Sequence, residues 1–130
     1  MGNVSYLSII IWLALSTASH AESLCPAKYS TEQINLIKNL ATIGAAGEFC
    51  PNLKRDIEPL LGYLALAWNG FRLSEMECKL WGKVYDDAEQ RAGHQIATNG
   101  LKSFCETSIR LYGPNGSLVK NALTFGTESP

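Results

Sequence analysis

Few side chains in this sequence are able to do chemistry, and their spacing limits what each one can do. His94 is the one histidine after position 21, and its acidic company along the chain is Asp86, Asp87, Glu89 and Glu106. A histidine beside a carboxylate can act as a general base. Catalysis would also need a nucleophile and an oxyanion site held next to it, and the sequence marks neither. Asp87 and Arg91 are four residues apart, the spacing of an ion pair on a solvated helix face. His94 therefore reads as a surface histidine near a helix end. Glu75 and Glu77 would point to different sides of a helix, so they read as first-turn charges that complement the helix dipole. With one histidine and no close carboxylate cluster, neither a metal site nor a cofactor is expected. The loop Tyr112-Gly113-Pro114-Asn115-Gly116-Ser117 is glycine-rich but lacks the spacing of a phosphate loop. Its Asn115-Gly116-Ser117 is a glycosylation acceptor pattern, meaningful only in a eukaryotic source.

The four cysteines, Cys25, Cys50, Cys78 and Cys105, are separated by 25, 28 and 27 residues. An even number in an exported chain reads as a disulfide framework. A zinc site of four thiolates is the rival, but zinc ligands usually come in closely spaced pairs. One further set stands out. Tyr63, Trp68, Phe71, Trp81 and Tyr85 read mainly as core between two helices. Surplus aromatic surface there could also line an apolar ligand pocket or form an interface hot spot.

The export reading comes from residues 1–21. They contain no Asp, Glu, Lys or Arg, and carry an apolar run from Leu7 to Leu15 followed by Ser19-His20-Ala21. That is the layout of a secretory signal peptide, although the n-region has only its α-amino group for positive charge. The run is too short to span a bilayer, which takes about 20 apolar residues; a retained membrane anchor is the alternative. Cleavage is expected after Ala21, with Ala18 the runner-up. Bulky Leu24 argues against lipid attachment at Cys25. Removing 21 residues from 130 leaves 109, residues 22–130, which is one domain's worth. All 11 Lys and Arg and all 12 Asp and Glu lie in that part, for a net charge of −1. The signs alternate without a block, so neither the basic stripe of a nucleic-acid binder nor the Lys/Arg-rich face of a membrane binder is present.

Four helices are predicted to carry these residues. The first starts at Ser30, where Ser30-Thr31-Glu32-Gln33 fits a capping box. Its stripe is Ile34, Ile37, Leu40 and Ala41; Gly44 and Gly47 loosen its end and Cys50-Pro51 stops it. The second is capped by Asp56 and tolerates Pro59 in its first turn. Ile57, Leu60, Leu61, Leu64 and Trp68 form one face, while Tyr63, Leu66 and Ala67 make much of the other apolar. Such a helix is either central in a bundle or presents a surface to something else. Asn69-Gly70 ends it. The third is expected from a second capping box, Ser74 to Glu77, with Met76, Leu80, Val84 and Ala88 as its stripe. Its pattern fades past Arg91-Ala92-Gly93, before the turn signal Asn99-Gly100. The fourth carries Leu101, Phe104, Cys105, Ser108, Ile109 and Tyr112 on one face and stops at Gly113-Pro114. Ser117 can cap a short final turn through Leu123. No alternating segment is long enough to argue for a strand.

Short connections between four helices favour an up-and-down bundle, and that topology pairs the cysteines. Cys25 and Cys78 fall at one end, Cys50 and Cys105 at the other. Bridging needs Cα atoms within about 7 Å, so Cys25–Cys78 and Cys50–Cys105 are the expected bonds among three connectivities. The fold expected is thus an all-α, four-helix bundle stapled by two disulfides. The leading functional expectation is an exported, non-enzymatic domain that binds a protein partner or a second copy of itself. Its roles would be those of an inhibitor, an immunity-type protein or an accessory subunit, by fold-level analogy alone. The alternatives are a carrier of a small hydrophobic ligand and an enzyme using His94. The periplasm is preferred to full secretion as its location, and no nucleic-acid partner is expected.

Overall fold

The computed structural model describes residues 25–126; the predicted leader and its cleavage sites lie outside them. The chain is mostly helical. Helix α1 is Thr31–Phe49, and its start is the predicted capping box: Ser30 Oγ accepts from the Gln33 N–H at 3.1 Å, and the Ser30 N–H donates to Gln33 Oε1 at 3.0 Å. Leu36, Ile37, Leu40, Ala41 and Ile43 turn its inner face to the core. Strand β1 (Leu53–Arg55) follows, then α2 (Ile57–Ala67), capped by the Asp56 carboxylate, which accepts from the Glu58 N–H at 3.3 Å. A 3-10 turn, Leu73–Glu77, leads into α3 (Lys79–Asn99). Gly100, at φ 92°, breaks the chain into α4 (Leu101–Tyr112), and β2 (Leu123–Phe125) comes last.

Both expected disulfides are formed, Cys25–Cys78 and Cys50–Cys105, each with its Cα atoms 5.7 Å apart. This disposes of the zinc alternative, since no free cysteine remains. The bonds also fix direction. The chain just before α1 is tied to the residue that opens α3, and the end of α1 is tied to the second turn of α4. Helices α1 and α3 therefore run side by side the same way, and α4 runs back. Helix α4 packs on both of them. Fully buried Ile37, Ile43 and Leu64 lie at the centre, and buried Ser108 satisfies its hydroxyl by donating to the Phe104 carbonyl at 2.8 Å.

Several expectations are corrected. The second capping box does not form: Ser74 to Glu77 belong to the 3-10 turn, which has no side-chain cap. Cys78, held by Cys25, has the extended backbone (φ −70°, ψ 139°) that separates the turn from α3. Glu75 is half-buried there with one carboxylate oxygen unpartnered, near the likewise unpartnered Tyr29 hydroxyl. Helix α3 does not fade at Gly93. Buried Ala92 and half-buried Ile96 continue the stripe from Ala88 at i, i+4 spacing.

The final turn is not helical either, and strands do exist. Strand β2 pairs antiparallel with β1, Leu53 opposite Phe125, Lys54 opposite Thr124 and Arg55 opposite Leu123. Asn121, at φ 63°, turns the chain into that pairing. Gly44 and Gly47 stay helical instead of loosening α1. They give β1 room, because a Cβ at Gly47 would stand only 3.2 Å from the Cβ of Arg55.

Candidate functional site

Helix α2 buries only Leu60 and Leu64 within its span. Among the helices its backbone approaches α1 alone, so it is not the central element its composition allowed. The presented surface is what remains. Ile57, Leu60 and Leu61 share its face toward the 3-10 turn, where Leu73 and Met76 come up to meet them. Between them runs a groove of about 650 Å³, floored by buried Leu40, Leu60 and Trp81. Gly82 keeps the floor low: a Cβ built there meets no atom within 4 Å. Ile57 is 58% exposed and Leu73 64%, large values for aliphatic side chains in one patch.

Two polar groups also line the groove, Arg55 from β1 and Tyr85 from α3. Both rest on Gly44 of α1. A Cβ there would lie 2.8 Å from the Tyr85 hydroxyl and 3.6 Å from Arg55 Nη1. Burial pushes the Tyr85 hydroxyl above its ordinary pKa, as do the carboxylates of Glu89, Glu48 and Asp86, while the Arg55 guanidinium pulls it back. Arg55 also lines a neighbouring hollow together with Gly44, Gly47 and the carboxylate-bearing Glu48.

The five aromatic candidates are divided rather than gathered. Trp68, Phe71 and Trp81 pack with Tyr29 as a core cluster, with ring centroids 5.4 to 6.0 Å apart. Trp68 and Trp81 are about 95% buried. Trp81 also floors the groove, and Tyr85 walls it. Tyr63 faces elsewhere. Asn39 Nδ2 donates to its hydroxyl at 3.5 Å, and Asn39 Oδ1 accepts from Tyr112 at 2.8 Å, a polar strap between α1, α2 and α4. Burial, seconded by Tyr63, pushes the Tyr112 pKa up to about 12.

His94 is exposed on α3, in a shallow depression walled by Asp87, Gln90, Arg91 and Gln95 of the same helix. Nothing encloses it. Glu106 is exposed on α4, and among the described residues no three potential metal ligands gather. Also among them, no helix is long and apolar enough to cross a membrane.

The sequence places Ile57 and Leu61 on one apolar face of the second helix and Met76 on the stripe of the third, and gives Leu73, Arg55 and Gly82 no part in a site. The surplus of apolar residues on α2 marks a presented surface; the 3-10 turn that completes the groove carries no such signal. In chemical terms the site can hold an aliphatic group against Trp81 and offer one cation and one hydroxyl to its head. Compared with protein-family models, curated proteins and solved structures, the chain matches none, so the groove is read from its own residues.

Proposed function

We propose that the protein is an exported, non-enzymatic binding domain, freed of its leader, whose groove seats a small apolar ligand. One observation carries this reading: a groove of about 650 Å³ whose walls are aliphatic side chains left open to solvent. Ligand sites are concave, mostly apolar and about 300–1,000 Å³ in volume. Leaving several large aliphatic groups exposed in one patch is costly for a monomer unless something covers them. Two disulfides mark an oxidising environment. Of the exported compartments we infer the periplasm, which suits both the leader and the bridges.

Native mass spectrometry of the freshly purified, oxidised protein tests the proposal. Wild type should carry an apolar adduct or take up added decanol. Gly82→Phe should do neither, since the new ring fills the groove without meeting protein atoms at its Cβ. A bare wild-type mass with no uptake sinks the idea.

Exposure of the rim itself supports a second reading, docking of a protein chain. Leu73 and Ile57 stand more than half exposed, and Leu66, outside the groove, is 91% exposed. A dimer in size-exclusion chromatography with light scattering, converted to monomer by Leu73→Ser, would favour this interface over the ligand.

A further inference from the structure

Taking the groove as a ligand site, we propose that its ligand is a free fatty acid, the alkyl chain lying between Ile57, Leu61, Leu73 and Met76 and the carboxylate pairing with Arg55. The polarity of the groove is one-sided. Leu73 and Met76 stand just before Cys78, where α3 begins, while Tyr85 lies seven residues further on, roughly 10 Å along the helix axis. The Arg55 guanidinium shares its perch on Gly44 with the Tyr85 hydroxyl. An apolar trough with a cation and a donor toward one end complements an alkyl chain with an anionic head.

Other occupants fit less well. An extended peptide would bring backbone N–H and C=O groups into a trough whose lining offers them only Arg55 and Tyr85, and buried polar groups without partners are costly. An alkyl chain carries no such groups. A cationic amphiphile would set its head against Arg55. The carboxylates that also bear on Tyr85, those of Glu48, Asp86 and Glu89, are solvent-exposed, as Arg55 is, and all of these charges are screened by salt. A ligand carboxylate instead meets Arg55 directly, in the two-pronged geometry that suits a guanidinium.

The test is titration of the oxidised protein with decanoate, decanol and decyltrimethylammonium below their micelle concentrations, read by calorimetry and by Trp fluorescence, since Trp81 floors the groove. Decanoate should bind about ten-fold more tightly than decanol, the size of one charge-assisted contact, and the cation most weakly. Arg55→Met should bring decanoate down to the level of decanol measured on the same variant; Arg55→Lys should keep part of the preference. If decanol matches decanoate on wild type, if the cation binds best, or if Arg55→Met leaves the preference intact, the fatty-acid proposal is overturned while the ligand groove survives. If none of the three binds, or if Gly82→Phe binds them all as wild type does, the groove reading falls and this proposal with it.

Discussion

Gly44 shapes the polar side of the groove by being small, and that can be tested as a coupling. Replacing a glycine inside a helix by alanine favours the helix by about 1 kcal/mol. At Gly44 the new methyl would meet the Tyr85 hydroxyl at 2.8 Å, and overpacking works against that gain. Gly44→Ala should therefore be more favourable in a Tyr85→Phe background than in wild type, by about 1 kcal/mol in a urea-denaturation double-mutant cycle. Additive effects would mean that Tyr85 does not rest on this glycine. Tyr112 gives a second test, in pH. Its pKa is raised from 10.0 to about 12, so the folded state holds the neutral phenol where the unfolded chain ionises. The contribution is complete below pH 10 and is lost as pH rises toward 12, about 2–3 kcal/mol in all. Tyr29 and Tyr85 are also raised and act in the same direction. Tyr112→Phe should make the alkaline fall in stability shallower. An unchanged fall would mean that this hydroxyl titrates as in water. At this scale the sequence was informative where chemistry is local: the Ser30 box and the Asp56 cap follow from adjacent residues. It could not say that Trp68 points inward and Leu73 outward, because that depends on which neighbour reaches each side chain.

Among the elements, α2 was the hardest to place. Periodicity identifies which of its residues are apolar but not how many faces find a partner, and here only Leu60 and Leu64 do so fully. The 3-10 turn supplies what α2 lacks, and it is held by a covalent bond at Cys78. This separates the two disulfides by role. Each closes a loop of more than 50 residues, and removing either should cost about 2–4 kcal/mol. Only loss of Cys25–Cys78 frees the turn that carries Leu73 and Met76. The Cys25→Ser/Cys78→Ser protein should thus bind decanol several-fold more weakly at a temperature where it is still folded. Cys50→Ser/Cys105→Ser, equally destabilised, should bind as wild type. Equal losses in the two would show that the groove depends on overall stability rather than on its own bridge.

For the molecule as a whole, the four helices and the disulfide pairing were legible because they obey a simple rule. Cysteines one helix-plus-loop apart in an alternating bundle fall at alternate ends, and geometry then leaves one sensible pairing. The sheet was illegible for the opposite reason. Three-residue strands carry no period, and β1 is a strand only because a segment about 70 residues later turns at Asn121 and lies beside it. That long-range pairing bears on the site, since Arg55 sits opposite Leu123, which is fully buried. The groove is therefore assembled from both ends of the described chain: its apolar walls depend on the bridge from Cys25, and its cation on the last strand. Leu123→Ala should cost about 2–5 kcal/mol by opening a cavity, and it should also loosen the register that holds Arg55. Ligand binding to the native state alone raises stability by about 2.7 kcal/mol at a hundred-fold excess over Kd, so thermal melts can read both effects in one protein. Wild type should be stabilised more by decanoate than by decanol. Leu123→Ala should melt lower and keep the shift with decanol, but lose the extra shift with decanoate. If the variant melts lower yet keeps the full difference between the two ligands, β2 supports the core without positioning the cation.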